Sequence, residues 1–126
     1  MGEEISVLVI DEDPELLGLT ETFLERNHND ITVSTETDTH TAVERVSDER
    51  IDCVVSDFRM PEMDGIELYE EVTANRPGLP FFLFTAADWE IEAAAQEAGI
   101  TGYVQKGSGT DHYDELANAI VAAVDR

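Results

Sequence analysis

The residues of this chain best suited by type and spacing to do chemistry are an acidic run, Asp11, Glu12 and Asp13, followed far downstream by Asp57, Thr85 and Lys106. Each follows a short apolar stretch, at 5–10, 51–55, 79–84 and 101–105 respectively. Carboxylates gathered without neutralisation repel one another, and a hard divalent cation held through oxygen is the usual relief. Mg²⁺ is the expected ion. It takes few protein carboxylates, keeps several waters and accepts a phosphoryl oxygen, so Asp11, Glu12 and Asp57 around it would be poised for phosphoryl transfer. Lys106 would neutralise charge on the phosphoryl oxygens, and the Thr85 hydroxyl would donate a hydrogen bond to one of them. Acidity alone says little, because 29 of the 126 residues are Asp or Glu. Lys106 says more, being the only lysine beside six arginines.

Five β-type runs alternate with five helix-type segments, and these elements must bring the reactive residues together. The runs 5–10, 51–55 and 79–84 are nearly continuous in apolar residues, as expected of central strands covered on both faces in a parallel sheet. The runs 31–36 and 101–105 are mixed and suit edges. Helices are expected over 14–28, 39–48, 64–76, 89–98 and 112–124. The last has Tyr113, Leu116, Ala117, Ile120, Val121 and Val124 at steps of three and four, one stripe to lay on a sheet. Pro14 suits a first helical turn, and Asp64 is placed to cap the third helix after a sharp turn through Pro61. Five such units imply an α/β doubly wound, five-stranded parallel sheet of order 2-1-3-4-5, whose ligand site lies at the C-terminal ends of the strands. Asp11, Asp57, Thr85 and Lys106 all fall there.

Composition bounds the partners. The length fits one domain, 1–126, and the 42% hydrophobic content is enough for a core. A net charge of −22 makes nucleic acid and anionic membranes poor partners. Neither a membrane span nor a basic, apolar secretory leader is present, so a cytoplasmic location is expected. Cys53 cannot form an internal disulfide and is read as a buried core residue. So large an acid excess resembles proteins of extreme halophiles, in which high salt screens self-repulsion.

Over essentially its whole length the chain resembles the receiver domains of two-component response regulators. The resemblance rests on Val9-Ile10-Asp11-Glu12, the stretch from Asp57 through Pro61 to Asp64-Gly65, Phe84-Thr85-Ala86 and Tyr103-Val104-Gln105-Lys106. It implies a signalling switch and not an enzyme in the ordinary sense. Asp57 would accept a phosphoryl group from a histidine kinase as an acyl phosphate and lose it slowly by hydrolysis. Mg²⁺ would be held by Glu12, by Asp11 through water, by Asp57 and by the backbone carbonyl of Arg59. Thr85 and Tyr103 would form the switch pair, altering the face made by the fourth helix, fifth strand and fifth helix. That face would engage a downstream effector or a fused output domain, or a second copy in a homodimer. The chain departs from the family pattern at Glu12, where Asp is common, and at Gly107, where proline is usual and Gly107-Ser108-Gly109 leaves a looser loop. Arg59 and Ala87 occupy variable positions linked in the family to the lifetime of the phosphorylated state.

Two other classes share parts of the pattern. A haloacid-dehalogenase-type phosphatase would use Asp11 as nucleophile and Asp13 as general acid, but it leaves the Asp57 stretch unexplained. A flavodoxin-type cofactor binder needs a phosphate-cradling loop after the first strand, where this chain has three acids. Gly107-Ser108-Gly109-Thr110 follows its lysine instead of preceding it and reads as a connector. His28, His40 and His112 lack metal-ligand spacing. Trp89 should open the fourth helix as a packing residue or a partner contact.

Overall fold

The computed structural model describes residues 4–86, 88–107 and 111–124. Five strands, β1 (Ile5–Ile10), β2 (Ile31–Glu36), β3 (Cys53–Ser56), β4 (Phe81–Ala86) and β5 (Gly102–Lys106), alternate with five helices. The helices are α1 (Pro14–Asn27), α2 (Thr39–Asp48), α3 (Gly65–Asn75), α4 (Trp89–Ala98) and α5 (Asp111–Val124). All strands pair in parallel in the order β2-β1-β3-β4-β5, as the apolar pattern predicts.

Strand alternation divides the core into two layers. Val7 and Val9 of β1, Val55 of β3, and Phe82 and Phe84 of β4 pack with Leu17, Leu24, Leu116 and Ile120 of α1 and α5. Their neighbours Leu8, Ile10, Val54, Phe81 and Leu83 pack with Ala42, Val46, Leu68, Val72, Ile91 and Ala95 of α2, α3 and α4. Cys53 is fully buried, and burial, reinforced by Asp52, pushes its thiol well above the ordinary range.

Part of the acid excess has local structural work. Asp13, Asp38, Asp64 and Asp88 are the N-caps of α1 to α4, each accepting backbone N–H bonds of its first turn. Asp64 closes a full capping box with Glu67. At Asp38, bonds donated by the Thr41 hydroxyl and backbone N–H hold the carboxyl below its usual range.

Three strands lie further along the chain than the apolar runs suggest. β3 begins at Cys53, β4 at Phe81 and β5 at Gly102, and each extends through polar or small residues at its C-terminal end. Leu79 instead closes a turn, its N–H donating to the Arg76 carbonyl, and Pro80 has no N–H to give a ladder. Thr85 and Lys106 are consequently the penultimate residue of β4 and the last of β5, within the strands and not after them.

Candidate functional site

β1 and β3 are neighbours, so their ends deliver Asp11 and Asp57 side by side. The Asp57 N–H donates to the Ile10 carbonyl at 3.0 Å, extending the ladder past the last strand residues. One oxygen of each carboxylate is fixed by backbone: Asp11 Oδ1 accepts from Asp13 N at 2.9 Å, and Asp57 Oδ1 from Phe58 N at 2.8 Å. The other oxygen of each faces Lys106, whose Nζ lies 3.1 Å from Asp11 Oδ2 and 3.7 Å from Asp57 Oδ2. Asp11 is only 6% exposed, so the ammonium compensates a carboxylate with little access to water. The same ammonium lies 5.5 Å from the centroid of the Phe84 ring, a cation–π contact.

Thr85 is buried and pairs in register with Gln105, one position before Lys106. Its hydroxyl makes no hydrogen bond among the described residues, yet no unpartnered side-chain polar atom there is sealed from solvent. Tyr103, half-buried on β5, donates its hydroxyl proton to the Ala86 carbonyl at 3.0 Å and accepts from Asp88 N at 3.2 Å. The ring is thereby tied to the N-terminus of α4.

Not all the expected residues converge. Glu12 is exposed and partnerless among the described residues, and no three His, Cys, Asp or Glu side chains there form a ready metal cage. Asp13 turns away to cap α1, its Oδ1 accepting from Glu15 N at 3.0 Å. What converges is a carboxylate pair bridged by one ammonium. The available donors are hard oxygens from Asp11 and Asp57, an exposed Glu12 carboxylate next to Asp11 in sequence, and an Arg59 carbonyl that accepts no hydrogen bond from any described residue. That donor chemistry fits Mg²⁺, which needs only one or two carboxylates and completes its shell with water.

Several contacts around the site are invisible in the sequence pattern. The Arg59 guanidinium lies 3.7 Å from Asp88 Oδ2, linking the β3–α3 loop to the cap of α4. His40 Nε2 meets Glu62 Oε1 at 2.6 Å, and Glu62 adopts φ 77°, a left-handed conformation uncommon for its type. Gly65 N donates to the Phe58 carbonyl at 2.8 Å, closing the loop that follows Asp57. Ala87 and the 108–110 segment, both singled out in the sequence, lie outside the described residues.

Fold and site together define a doubly wound α/β domain with an acid–lysine centre at the C-terminal edge of its sheet. The chain matches the response regulator receiver domain family over residues 7–120, and it belongs to that family. It is 34% identical over 106 residues to the probable transcriptional regulatory protein TcrX of Mycobacterium tuberculosis, covering 83% of this chain and 44% of that protein. It is 33% identical to the transcriptional regulatory protein GlrR of Escherichia coli, covering 79% of this chain and 22% of the other. The chain thus spans less than half the length of these relatives. A response regulator receiver domain protein from Clostridium thermocellum superimposes with a TM-score of 0.85 at 23% identity, covering 97% of this chain and 95% of that one. Family membership makes this a signalling domain of the two-component type. Asp13, the general acid that a dehalogenase-type phosphatase would use, here caps α1 through its Oδ1. No helix among the described residues is long and apolar enough to cross a membrane.

Proposed function

We propose that this chain is a Mg²⁺-dependent phosphoacceptor switch in which Asp57 takes a phosphoryl group from a histidine kinase. The observation that carries the reading is the Lys106 ammonium set between Asp11 and Asp57. A carboxylate oxygen of Asp57 attacks phosphorus, the bond from phosphorus to the kinase imidazole nitrogen breaks, and the product is an acyl phosphate. Lys106 is within reach of Asp57 to neutralise charge gathering on the equatorial oxygens, and the Thr85 hydroxyl would donate to one of them. Phe58 N–H holds one Asp57 oxygen, which orients the other. Asp11, Glu12, Asp57 and the Arg59 carbonyl would hold the Mg²⁺, which neutralises negative charge between donor and acceptor.

The output step would link Thr85 to Tyr103 through the end of β4. Drawing Thr85 toward a phosphoryl group on Asp57 rearranges the end of β4, where the Ala86 carbonyl accepts the Tyr103 hydroxyl. Release of that bond frees the ring and alters the α4-β5-α5 face, a two-state element biased by local charge. A downstream effector, a fused output domain or a second copy of the chain would read that face. The two relatives named above carry transcriptional regulatory names and are longer than this chain, which supports an output of that kind.

Intact-mass spectrometry after incubation with acetyl phosphate in molar KCl, with and without Mg²⁺, tests the reading. A phosphoryl adduct that needs Mg²⁺ and vanishes in Asp57→Asn and Asp11→Asn is expected. An adduct that survives in Asp57→Asn would overturn it.

A further inference from the structure

Lys106 is held at its far end by carboxylates, but its backbone sits at the very end of β5, an edge strand, immediately before a glycine. Something must fix that end if the ammonium is to keep its place. Gly107 N–H donates to Nδ1 of His112 at 3.3 Å, across five residues and onto the first turn of α5. An accepting Nδ1 puts the ring proton of neutral His112 on Nε2. The imidazole is itself wedged against aromatic neighbours, with ring centroids 5.5 Å from Phe84 and 4.2 Å from Tyr113. Phe84 and Tyr113 are buried, so the acceptor is mounted on the core and not on a free side chain. Phe84 also carries the Lys106 ammonium on its ring. The two ends of Lys106 are thereby referred to one small aromatic group, the side chain through Phe84 and the main chain through His112.

We propose that His112 is a positioning residue for Lys106: through its Nδ1 it pins the Gly107 amide and so sets where the ammonium stands relative to Asp57. The inference rests on the phosphoacceptor reading for its consequence, though the contact itself is independent of it. The glycine is compatible with this role for a simple reason, since it supplies the N–H that a proline would lack. Its lack of a side chain is not what matters: a Cβ at Gly107 would meet His112 Nδ1 at an ordinary 3.9 Å.

Two substitutions separate acceptor from packing. His112→Phe keeps a ring against Phe84 and Tyr113 but has no acceptor, whereas His112→Asn discards the ring and places an amide oxygen near the position of Nδ1. Because Lys106 is the sole lysine, carbonyl-¹³C lysine combined with ¹⁵N glycine makes the Gly107 amide the only one coupled to a labelled lysine carbonyl. Solvent exchange at that amide should accelerate in His112→Phe and stay near wild type in His112→Asn. Phosphorylation of Asp57 by acetyl phosphate should slow in His112→Phe by roughly fivefold, the worth of one ordinary hydrogen bond, and recover in His112→Asn. The reverse order, with His112→Phe near wild type and His112→Asn impaired, would mean packing alone and would overturn the proposal. Equal Gly107 exchange in wild type and His112→Phe would overturn it even if wild type took no phosphoryl group. That last failure, by contrast, would count against the phosphoacceptor reading.

Discussion

Gly65 lies so close to the backbone of Asp57 that a Cβ added to it would stand 2.6 Å from the Asp57 carbonyl oxygen and 2.5 Å from Leu83 Cδ2. The first residue of α3 thus packs directly beneath the acidic centre. Its N–H closes the loop by donating to the Phe58 carbonyl. Neither obstacle can move cheaply, one being main chain and the other a fully buried core side chain.

Gly65→Ala should therefore destabilise the domain by about 1–3 kcal/mol, the usual cost of overpacking. It should also displace the Asp57 carbonyl and slow acetyl phosphate labelling. Urea unfolding and intact-mass kinetics on the same variant measure both. An unchanged urea midpoint would show that the loop yields without cost.

Lys106→Met tests the ammonium between the carboxylates. Asp11 would lose the partner of a nearly buried charge, lowering stability by about 1–3 kcal/mol in the absence of divalent cation. With Mg²⁺ held at Asp11 as proposed, its charge would replace that of the ammonium beside Asp11 Oδ2, so added Mg²⁺ should raise the melting temperature of the variant more than that of wild type. Wild type should itself gain stability from Mg²⁺ and lose that gain in Asp57→Asn and Glu12→Gln. A Mg²⁺ effect that both substitutions leave intact would move the ion elsewhere.

The sheet order and the limits of α2 and α4 were legible because apolar periodicity reports which face of an element is buried, and burial was the dominant constraint there. The ends of β3, β4 and β5 were not. Ladder hydrogen bonds run on through Ser56, Thr85 and Lys106, whose side chains carry no apolar signal. Asp11, Asp57, Thr85 and Lys106 could be assigned to one edge from topology alone. Which acids would face each other could not, since that depends on local backbone: Asp13 is drawn off by the α1 cap, and Glu12 projects into solvent. The contacts of Arg59 with Asp88, His40 with Glu62 and Gly107 with His112 each tie a loop residue to the start of a helix, and no periodicity specifies the loop conformations.

Cys53 offers a reporter of global opening. Its burial disfavours the thiolate, so a disulfide reagent at mildly alkaline pH should leave the folded protein unlabelled and react at once on unfolding. The folded-state pKa is raised, so this group's contribution to stability is fully present below the ordinary thiol value of 9.0 and is lost as pH rises beyond it. Cys53→Ala should remove that part of the alkaline loss. Rapid labelling of the native state would contradict the buried placement.

Salt should stabilise this domain. Most cations among the described residues are already engaged: Arg45 with Glu36 and Glu49, Arg50 with Asp52, Arg59 with Asp88, and Lys106 with Asp11 and Asp57. Arg76 donates to the carbonyls of Val46 and Ile51 and so is turned toward the backbone. With 29 acids against 7 Lys and Arg, most surface carboxylates have no basic partner to meet. Their mutual repulsion acts over the Debye length, which shrinks from about 10 Å at 0.1 M to about 3 Å at 1 M salt. Unfolding separates the charges and relieves the same repulsion, so dilute buffer favours the unfolded chain. We therefore expect the melting temperature in molar KCl to exceed that in dilute buffer by about 5 °C or more, the shift that about 1 kcal/mol produces in a domain of this size. Asp57→Asn should respond to KCl as wild type does, because the effect belongs to the whole surface and not to the acidic centre. Equal melting temperatures in the two buffers would refute the proposed adaptation to high salt and assign the acid excess to some other cause.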